Sequence, residues 1–326
     1  MVFLRETISQ WINFPSAFFQ FQPVPYRDGT RNAASQHKRM VVILHIGFIG
    51  AGKVGFTLGK YFAVHGLPVL GYYSRSKASA EKAAEFTNTQ AFDTLETLVS
   101  QCGILFLTVP DRCISQVYGE LTKLPIEKKC LCHCSGALSA HSAFPGIQDL
   151  GAFGYSIHPL FAVSDCYHAY KELPDVFFTI EGDPAHFTDL QNMLTGIGLH
   201  VQPIPPECKT IYHTAAAIAS NLMVALAAQS MDMLQTCGFS PQDAQNALAP
   251  LMLGNMQHIA AEGVTASLTG PVERGDTNTV RKHLDALTDP TERQIYRLLS
   301  RRLIPLAQHK HPERDYQQME QLLKGD

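Results

Sequence analysis

The chain predicts an α/β fold in which a doubly wound parallel sheet is followed by an all-helical segment. Three observations carry this expectation. An apolar, β-branched run at 41–49 feeds directly into Gly50-Ala51-Gly52-Lys53-Val54-Gly55 and then into a helical stretch. Apolar runs and amphipathic stretches alternate from there to Ile204, the pattern of a parallel sheet built from strand–helix–strand units. After Pro205-Pro206 only long helical patterns remain.

In chain order the strands are expected at 41–49, 68–73, 103–109, 129–134, 154–157, 176–181 and 199–204. Helical stretches fall between most of them, at 56–65, 78–86, 94–101 and 186–195. Further helices are expected at 207–236, 241–262, 280–287 and 291–308. The run 215–228 is apolar, but Ser220 and Asn221 interrupt it and it falls short of the ~20 apolar residues of a membrane span. It fits a buried helix at a domain or subunit interface, and a homodimer sharing the helical domain is expected.

Composition narrows the function. Of 326 residues 45% are hydrophobic and only 17% charged, with a net charge of −3, so the chain has material for two cores and no global field for nucleic acid or anionic membrane. A small-molecule cleft is the expected working part. The eight cysteines contain no C-x-x-C pair. Cys130, Cys132 and Cys134 alternate along a strand and share one face, which reads as small buried residues rather than metal ligands. No metal is expected, the thiols should be reduced, and the location should be cytoplasmic. Residues 1–39 scatter Trp11, Phe14, Phe18, Phe19 and Phe21 among polar residues without the apolar core of a signal peptide. Met40 is the expected functional start, preceded by a poorly ordered extension or a mis-assigned beginning. The domains are then 40–204, binding a nucleotide, and 205–326, serving substrate and dimerisation.

The glycine motif has the strand before and helix after that a dinucleotide site requires. Gly50 permits the tight turn, Gly52 lets backbone approach a pyrophosphate, and Gly55 lets helix and strand pack closely. Ala51, Lys53 and Val54 complete the turn, and the helix N-terminus faces the phosphate charge. The second strand ends in Ser74-Arg75-Ser76-Lys77, where an NAD site would carry Asp or Glu for the ribose hydroxyls. Two hydroxyls and two cations suit a 2′-phosphate instead, so NADP(H) is the expected cofactor. Ligands of such sheets lie beyond the carboxyl ends of the strands, which places Val109-Pro110, Ser135 and His158 where chemistry occurs.

In the helical half, Lys209, His213 and Ser220 share one helix face, with Asn221 on its flank. Polar groups on an Ala-rich helix line a cleft or make hydrogen bonds in a core, and both readings stand. Downstream, Asp276 is placed to cap a helix, while Arg274 is equally suited to clamp a carboxylate or to bridge two domains.

Taken in order, Gly47-Phe48-Ile49-Gly50-Ala51-Gly52, Val109-Pro110-Asp111, Cys134-Ser135-Gly136-Ala137-Leu138, His158-Pro159-Leu160, Tyr212-His213-Thr214-Ala215-Ala216 with Ser220-Asn221, and Leu268-Thr269-Gly270-Pro271 through Arg274-Gly275-Asp276 resemble the Rossmann-like NADP oxidoreductases whose C-terminal half is a domain of unknown function. That group lies near pyrroline-5-carboxylate reductase and the 6-phosphogluconate-dehydrogenase-like superfamily, and the resemblance runs from Met40 to the C-terminus. It implies NADPH-dependent reduction of a small anionic 2-keto acid, with ketopantoate as the first candidate. It also admits an imine reductase like pyrroline-5-carboxylate reductase, or a prephenate-like dehydrogenase. A non-catalytic NADP-binding sensor is the reading from outside enzymology. The resemblance implies Lys209 as proton donor with His158 second, Ser135 and His213 orienting them, and Arg274, Thr269, Asn221 and Ser220 binding substrate.

Overall fold

The structure, a computed structural model, describes residues Leu44 to Gly325. The expectations for residues 1–39, for Met40 as start and for the first part of the 41–49 strand therefore lie outside the described residues.

The nucleotide half contains β1 (Ile46–Ile49), α1 (Lys53–Val64), β2 (Val69–Tyr73), α2 (Lys77–Thr87), β3 (Gln90–Ala91), α3 (Leu95–Gln101), β4 (Ile104–Leu107), α4 (Asp111–Leu121), β5 (Cys130–His133), α5 (Ala140–Ala143), β6 (Phe153–Pro159), β7 (Phe177–Gly182), α6 (Phe187–Gly196) and β8 (His200–Pro203). The eight strands form one sheet in the order β3-β2-β1-β4-β5-β6-β7-β8. Order reverses between β2-β1 and β4, the topological switch at which ligands of such sheets bind.

One pair departs from the parallel pattern, since β6 and β7 are antiparallel. A parallel return needs a crossover, usually a helix, and the segment between these strands carries only the short 3-10 turns Ala169–Lys171 and Leu173–Asp175. That segment packs over α1 and α2 instead, where Tyr167 meets Phe56 and Phe86 edge-on at 5.0 and 5.3 Å.

Both faces of the sheet are buried. One core joins Phe48, Tyr72, Phe106, Cys130, Cys132, Tyr155 and Ile157, with Cys134 packed against it. The other joins Leu105, Leu107, Leu131 and Phe144. The three cysteines thus share one face as the alternation requires, and burial pushes the Cys130 and Cys134 thiols up to about 12. Among the described residues no cluster of His, Cys, Asp or Glu could hold a metal.

The helical half comprises α7 (Lys209–Ala217), α8 (Met223–Thr236), α9 (Pro241–Glu262), α10 (Val264–Ser267), α11 (Pro271–Arg274), α12 (Thr277–Ala286), α13 (Pro290–Lys310) and α14 (Gln317–Lys324). A π-turn at Ile218–Leu222 joins α7 to α8. Residues 268–323 build a third core around Val272, Val280, Leu284, Ile304, Tyr316 and Leu323. Helices α7 to α9 are different. Ile211, Val224, Leu251 and Leu253 are 63–70% exposed, so the chain leaves the apolar faces of these helices uncovered. By length and composition Pro206–Thr236 could cross a membrane, although the apolar run 215–228 within it is interrupted and short for a span. Its first turn is nevertheless docked on the sheet through Lys209, a geometry that suits a helix lying against protein.

His133 is fully buried on β5. Its Nδ1 accepts the Ser135 N–H at 3.1 Å, and burial, then the Lys209 charge, push its pKa down to about 3. An unfolded histidine takes up its proton near 6.5. Below that pH the unfolded chain binds the proton and the folded chain does not, so this contribution to stability is complete above pH 6.5 and is lost as pH falls. Urea denaturation of His133→Asn should therefore show a dependence between pH 6.5 and 4.5 shallower by about 1.4 kcal/mol per pH unit than the parent. An unchanged slope would contradict a neutral buried His133.

Candidate active site

Two neighbouring sets of residues meet beyond the carboxyl ends of β1, β4, β5 and β6. In the first, the Gly50 N–H donates to Tyr73 O at 2.8 Å, while Thr108 Oγ1 donates to Gly50 O at 2.8 Å and its N–H to Ile49 O at 2.9 Å. Gly50 has φ +106°, and a Cβ there would stand 2.9 Å from the Thr108 backbone. At Gly55 a Cβ would collide with Thr108 Oγ1 and Gly50 O, so this glycine is needed for close helix–strand packing. Gly52 is different, since the nearest atom to a Cβ would be Thr108 O at 3.8 Å. Nothing in the chain forbids a side chain there, and an open glycine suits close approach of a ligand's phosphates. Gly52 also begins α1 with no side-chain cap, which leaves first-turn amides to bind an anion. These residues fit a dinucleotide.

The cavity in front of this turn is lined by Gly50, Ala51, Gly52, Ser74, Arg75, Val109 and Pro110, with Gln116 and Glu120 of α4 opposite. The four residues after β2 are not equivalent. Ser76 caps α2 by accepting the Ser79 N–H at 3.3 Å, and Lys77 pairs with Asp93 at 2.6 Å. Ser74 and Arg75 face the cavity, while Lys53 is exposed on α1 and does not line it.

The second set surrounds Gly136. A Cβ on Gly136 would lie 2.7 Å from His213 Nδ1 and 2.8 Å from His158 Nε2, so glycine is what lets both rings pack directly against this turn. His158 Nδ1 is 2.7 Å from the Tyr212 hydroxyl. Burial pushes the Tyr212 phenol up, so it keeps its proton, and either this hydroxyl or the ring N–H donates in the pair. Burial, then the charge of Lys209 and the neighbouring His213, push the His158 pKa down to about 4. At neutral pH the ring is an uncharged donor.

Beside it lies a cavity lined by His158, Phe161, Tyr212, His213, Ser220 and Asn221. The π-turn places Ser220 and Asn221 at its wall, with Ser220 Oγ donating to Ala216 O at 2.8 Å and Asn221 Oδ1 at 3.1 Å. Such turns recur at functional positions in helices.

Other expected residues take different positions. Ser135 is 4% exposed. Its hydroxyl donates to Asp111 Oδ2 at 2.6 Å and accepts the Ala137 and Leu138 N–H groups at 3.1 Å, so it clips the turn that presents Gly136. Lys209 is 2% exposed, donates to Ser156 Oγ at 2.6 Å and does not line the cavity. Its first-turn position puts it behind the imidazoles rather than among them. Thr269 and Arg274 are exposed at the edge of the third core. Among the described residues neither has a hydrogen bond or ion pair to His158 or His213. Asp276 does cap α12, accepting the Thr279 N–H at 3.0 Å.

Sequence reasoning did not single out Tyr212, Gly136 or Glu181. Tyr212 follows Lys209 by three residues and precedes His213 by one, so helical spacing was the available signal. Glu181 becomes visible only through its pairing with Ser156 across β6 and β7.

Comparison with known proteins agrees with this architecture. A Rossmann-like domain model matches residues 30–159, and the domain of unknown function DUF2520 matches residues 176–303. Protein TM1727 of Thermotoga maritima is similar in structure, with 29% identity over 82% of this chain and 99% of its own and a TM-score of 0.65. BF3122 of Bacteroides fragilis, provisionally named an NADP oxidoreductase, has 20% identity, 80% and 98% coverage and a TM-score of 0.60. A pyrroline-5-carboxylate reductase of Coxiella burnetii shares the fold at 14% identity, 85% and 97% coverage and a TM-score of 0.51. No curated protein matches the sequence. By these matches the chain is similar to Rossmann-like domains over residues 30–159 and to DUF2520 domains over residues 176–303.

Proposed function

We propose that the chain is an NADPH-dependent reductase of a small 2-keto acid, with ketopantoate, reduced to pantoate, as the first substrate to test. The observation that carries this reading is the cavity lined by His158, Tyr212 and His213, where His158 is uncharged, in the same domain as a dinucleotide-shaped turn. Names among the fold relatives support it, since BF3122 is provisionally an NADP oxidoreductase and the Coxiella protein a pyrroline-5-carboxylate reductase.

The backbone at Gly50, Ala51, Gly52 and Gly55 and the open end of α1 would hold the pyrophosphate, and Ser74 and Arg75 the 2′-phosphate. Val109 and Pro110 would flank the nicotinamide. When bound, the nicotinamide supplies the hydride. As the substrate oxygen gains negative charge, His158 Nε2–H would meet it with a hydrogen bond in the tautomer whose Nδ1 accepts from Tyr212, the preorganised donation that stabilises such charge, and the alkoxide would then take its proton from water. His213 offers a second polar group, and Ser220 with Asn221 orients the substrate.

Arg274 and Thr269 would hold the carboxylate. Within one chain they are exposed on another core, so this role is proposed for a homodimer in which the uncovered faces of α7 to α9 pack against a second copy. All eight cysteines are unpaired, which accords with the reducing cytoplasm as the proposed location.

A C=N substrate is the second reading, favoured by the fold shared with pyrroline-5-carboxylate reductase. The cavity favours the carbonyl, because no carboxylate lines it to stabilise an iminium cation, whereas its neutral donors suit an oxyanion.

Turnover of ketopantoate, pyrroline-5-carboxylate and prephenate under NADPH or NADP+ separates these readings, and cofactor binding without turnover on any of them would favour a sensor. His158→Gln should lower kcat by about 10²–10³ while NADPH affinity stays within about twofold; unchanged turnover would remove His158 from the chemistry. Arg75→Ala should weaken NADPH much more than NADH, and equal losses would argue against 2′-phosphate recognition. Sedimentation of the full chain should give twice the monomer mass, and a monomer at micromolar concentration would contradict the shared helical domain.

A further inference from the structure

Two opposite charges are sealed in the sheet half at 2% exposure each, Lys209 and Glu181. Strand register brings them into one layer. His133 pairs with Ser156 across β5 and β6, and Ser156 with Glu181 across β6 and β7, so three polar side chains form a row on one face. His158, two residues beyond Ser156, projects from that same face. Lys209 enters the row from the first turn of α7 and donates to Ser156 Oγ at 2.6 Å, while Glu181 Oε1 accepts the Ala140 N–H at 2.7 Å.

A lysine so placed is a poor proton donor to a substrate. Its ammonium is walled from the cavity by Tyr212, whose ring lies 5.6 Å away. An unpaired charge would be costly there, and burial lowers the Lys209 pKa, with Glu181 and Asp111 among the groups acting against it. The groups around His158 that can titrate or carry charge are Tyr212 and His213 on α7, His133 and Cys134 on β5, Glu181 on β7, Asp111 on α4, and Lys209 itself. Among the charged ones, Lys209 is the one whose field acts on His158 after burial.

We propose that Lys209 is a positioning residue, a buried cation held by Ser156 on the strand face that it shares with His158, with Glu181 in the same row, that disfavours a second positive charge on the His158 ring where it lines the cavity. The inference rests on His158 as the donor of the proposed reductase, but its first readout needs neither substrate nor cofactor.

The experiment is NMR titration of histidine-labelled full-length protein, with the His158 signal assigned by its loss in His158→Gln. In Lys209→Met the His158 midpoint should rise from about 4 by about one pH unit or more. Because that variant leaves Glu181 buried without its counter-charge, Lys209→Met/Glu181→Gln is measured beside it, and the same rise is expected with no buried charge left. An unmoved midpoint in the folded double variant would overturn the proposal, since burial alone would then hold His158 neutral. So would a Lys209→Met enzyme that loses turnover at every pH with the His158 titration unchanged, which would make Lys209 the donor. Absence of reductase turnover in the parent protein, with the midpoint shift intact, falls on the proposed function and leaves the charge role standing.

Discussion

The hydrogen bond from the Lys209 ammonium to Ser156 ties the helical half to the sheet, and the site's geometry follows from it. A lysine at 2% exposure must find a partner, because burying an unpaired ammonium costs several kcal/mol. Ser156 on β6 and the carboxylate of Glu181 on β7 supply that environment. Once Lys209 is seated, the rotation of α7 is set. Tyr212 and His213, three and four residues on, then face the same side, where Tyr212 meets His158 and His213 faces Gly136. The polar row beneath thus fixes which side chains stand above it.

The same constraint accounts for the contrast between the two ends of the long helix pair. The start of α7 is anchored in a packed core, whereas the remainder of α7, α8 and α9 expose Ile218, Leu222, Leu251 and Leu253. Exposed apolar faces of this extent mark interaction surfaces. The C-terminal core around Val272 and Tyr316 is a separate cluster of buried residues, and Arg274 at its edge makes no hydrogen bond or ion pair to the imidazoles among the described residues.

Much of this was legible in the sequence because it is local. The glycine turn declares itself by its spacing between strand and helix, the Ser240–Gly263 interval delimits α9, and Asp276 before Thr277 marks a cap. Elements defined by partners were not legible. β3 is two residues that exist by pairing with β2, and the antiparallel turn of β6 into β7 reflects the lack of a crossover helix rather than any residue pattern. α4 was passed over although Pro110-Asp111 is a fair start signal. Within the site, the shared face of Lys209 and His213 was readable from periodicity. The depth of Lys209 was not, because burial depends on a strand 53 residues away.

The central claim is that the cavity lined by His158, Tyr212 and His213 receives the substrate's reacting oxygen, beside the cofactor turn. A crystal structure of the protein with NADP+ and a 2-keto acid tests it most directly. The account predicts the carbonyl oxygen within hydrogen-bond reach of His158 Nε2, the nicotinamide ring beside Val109 and Pro110, and Lys209 still sealed beneath on Ser156. A ligand oxygen held by Lys209, or a nicotinamide turned away from Gly136, would contradict it.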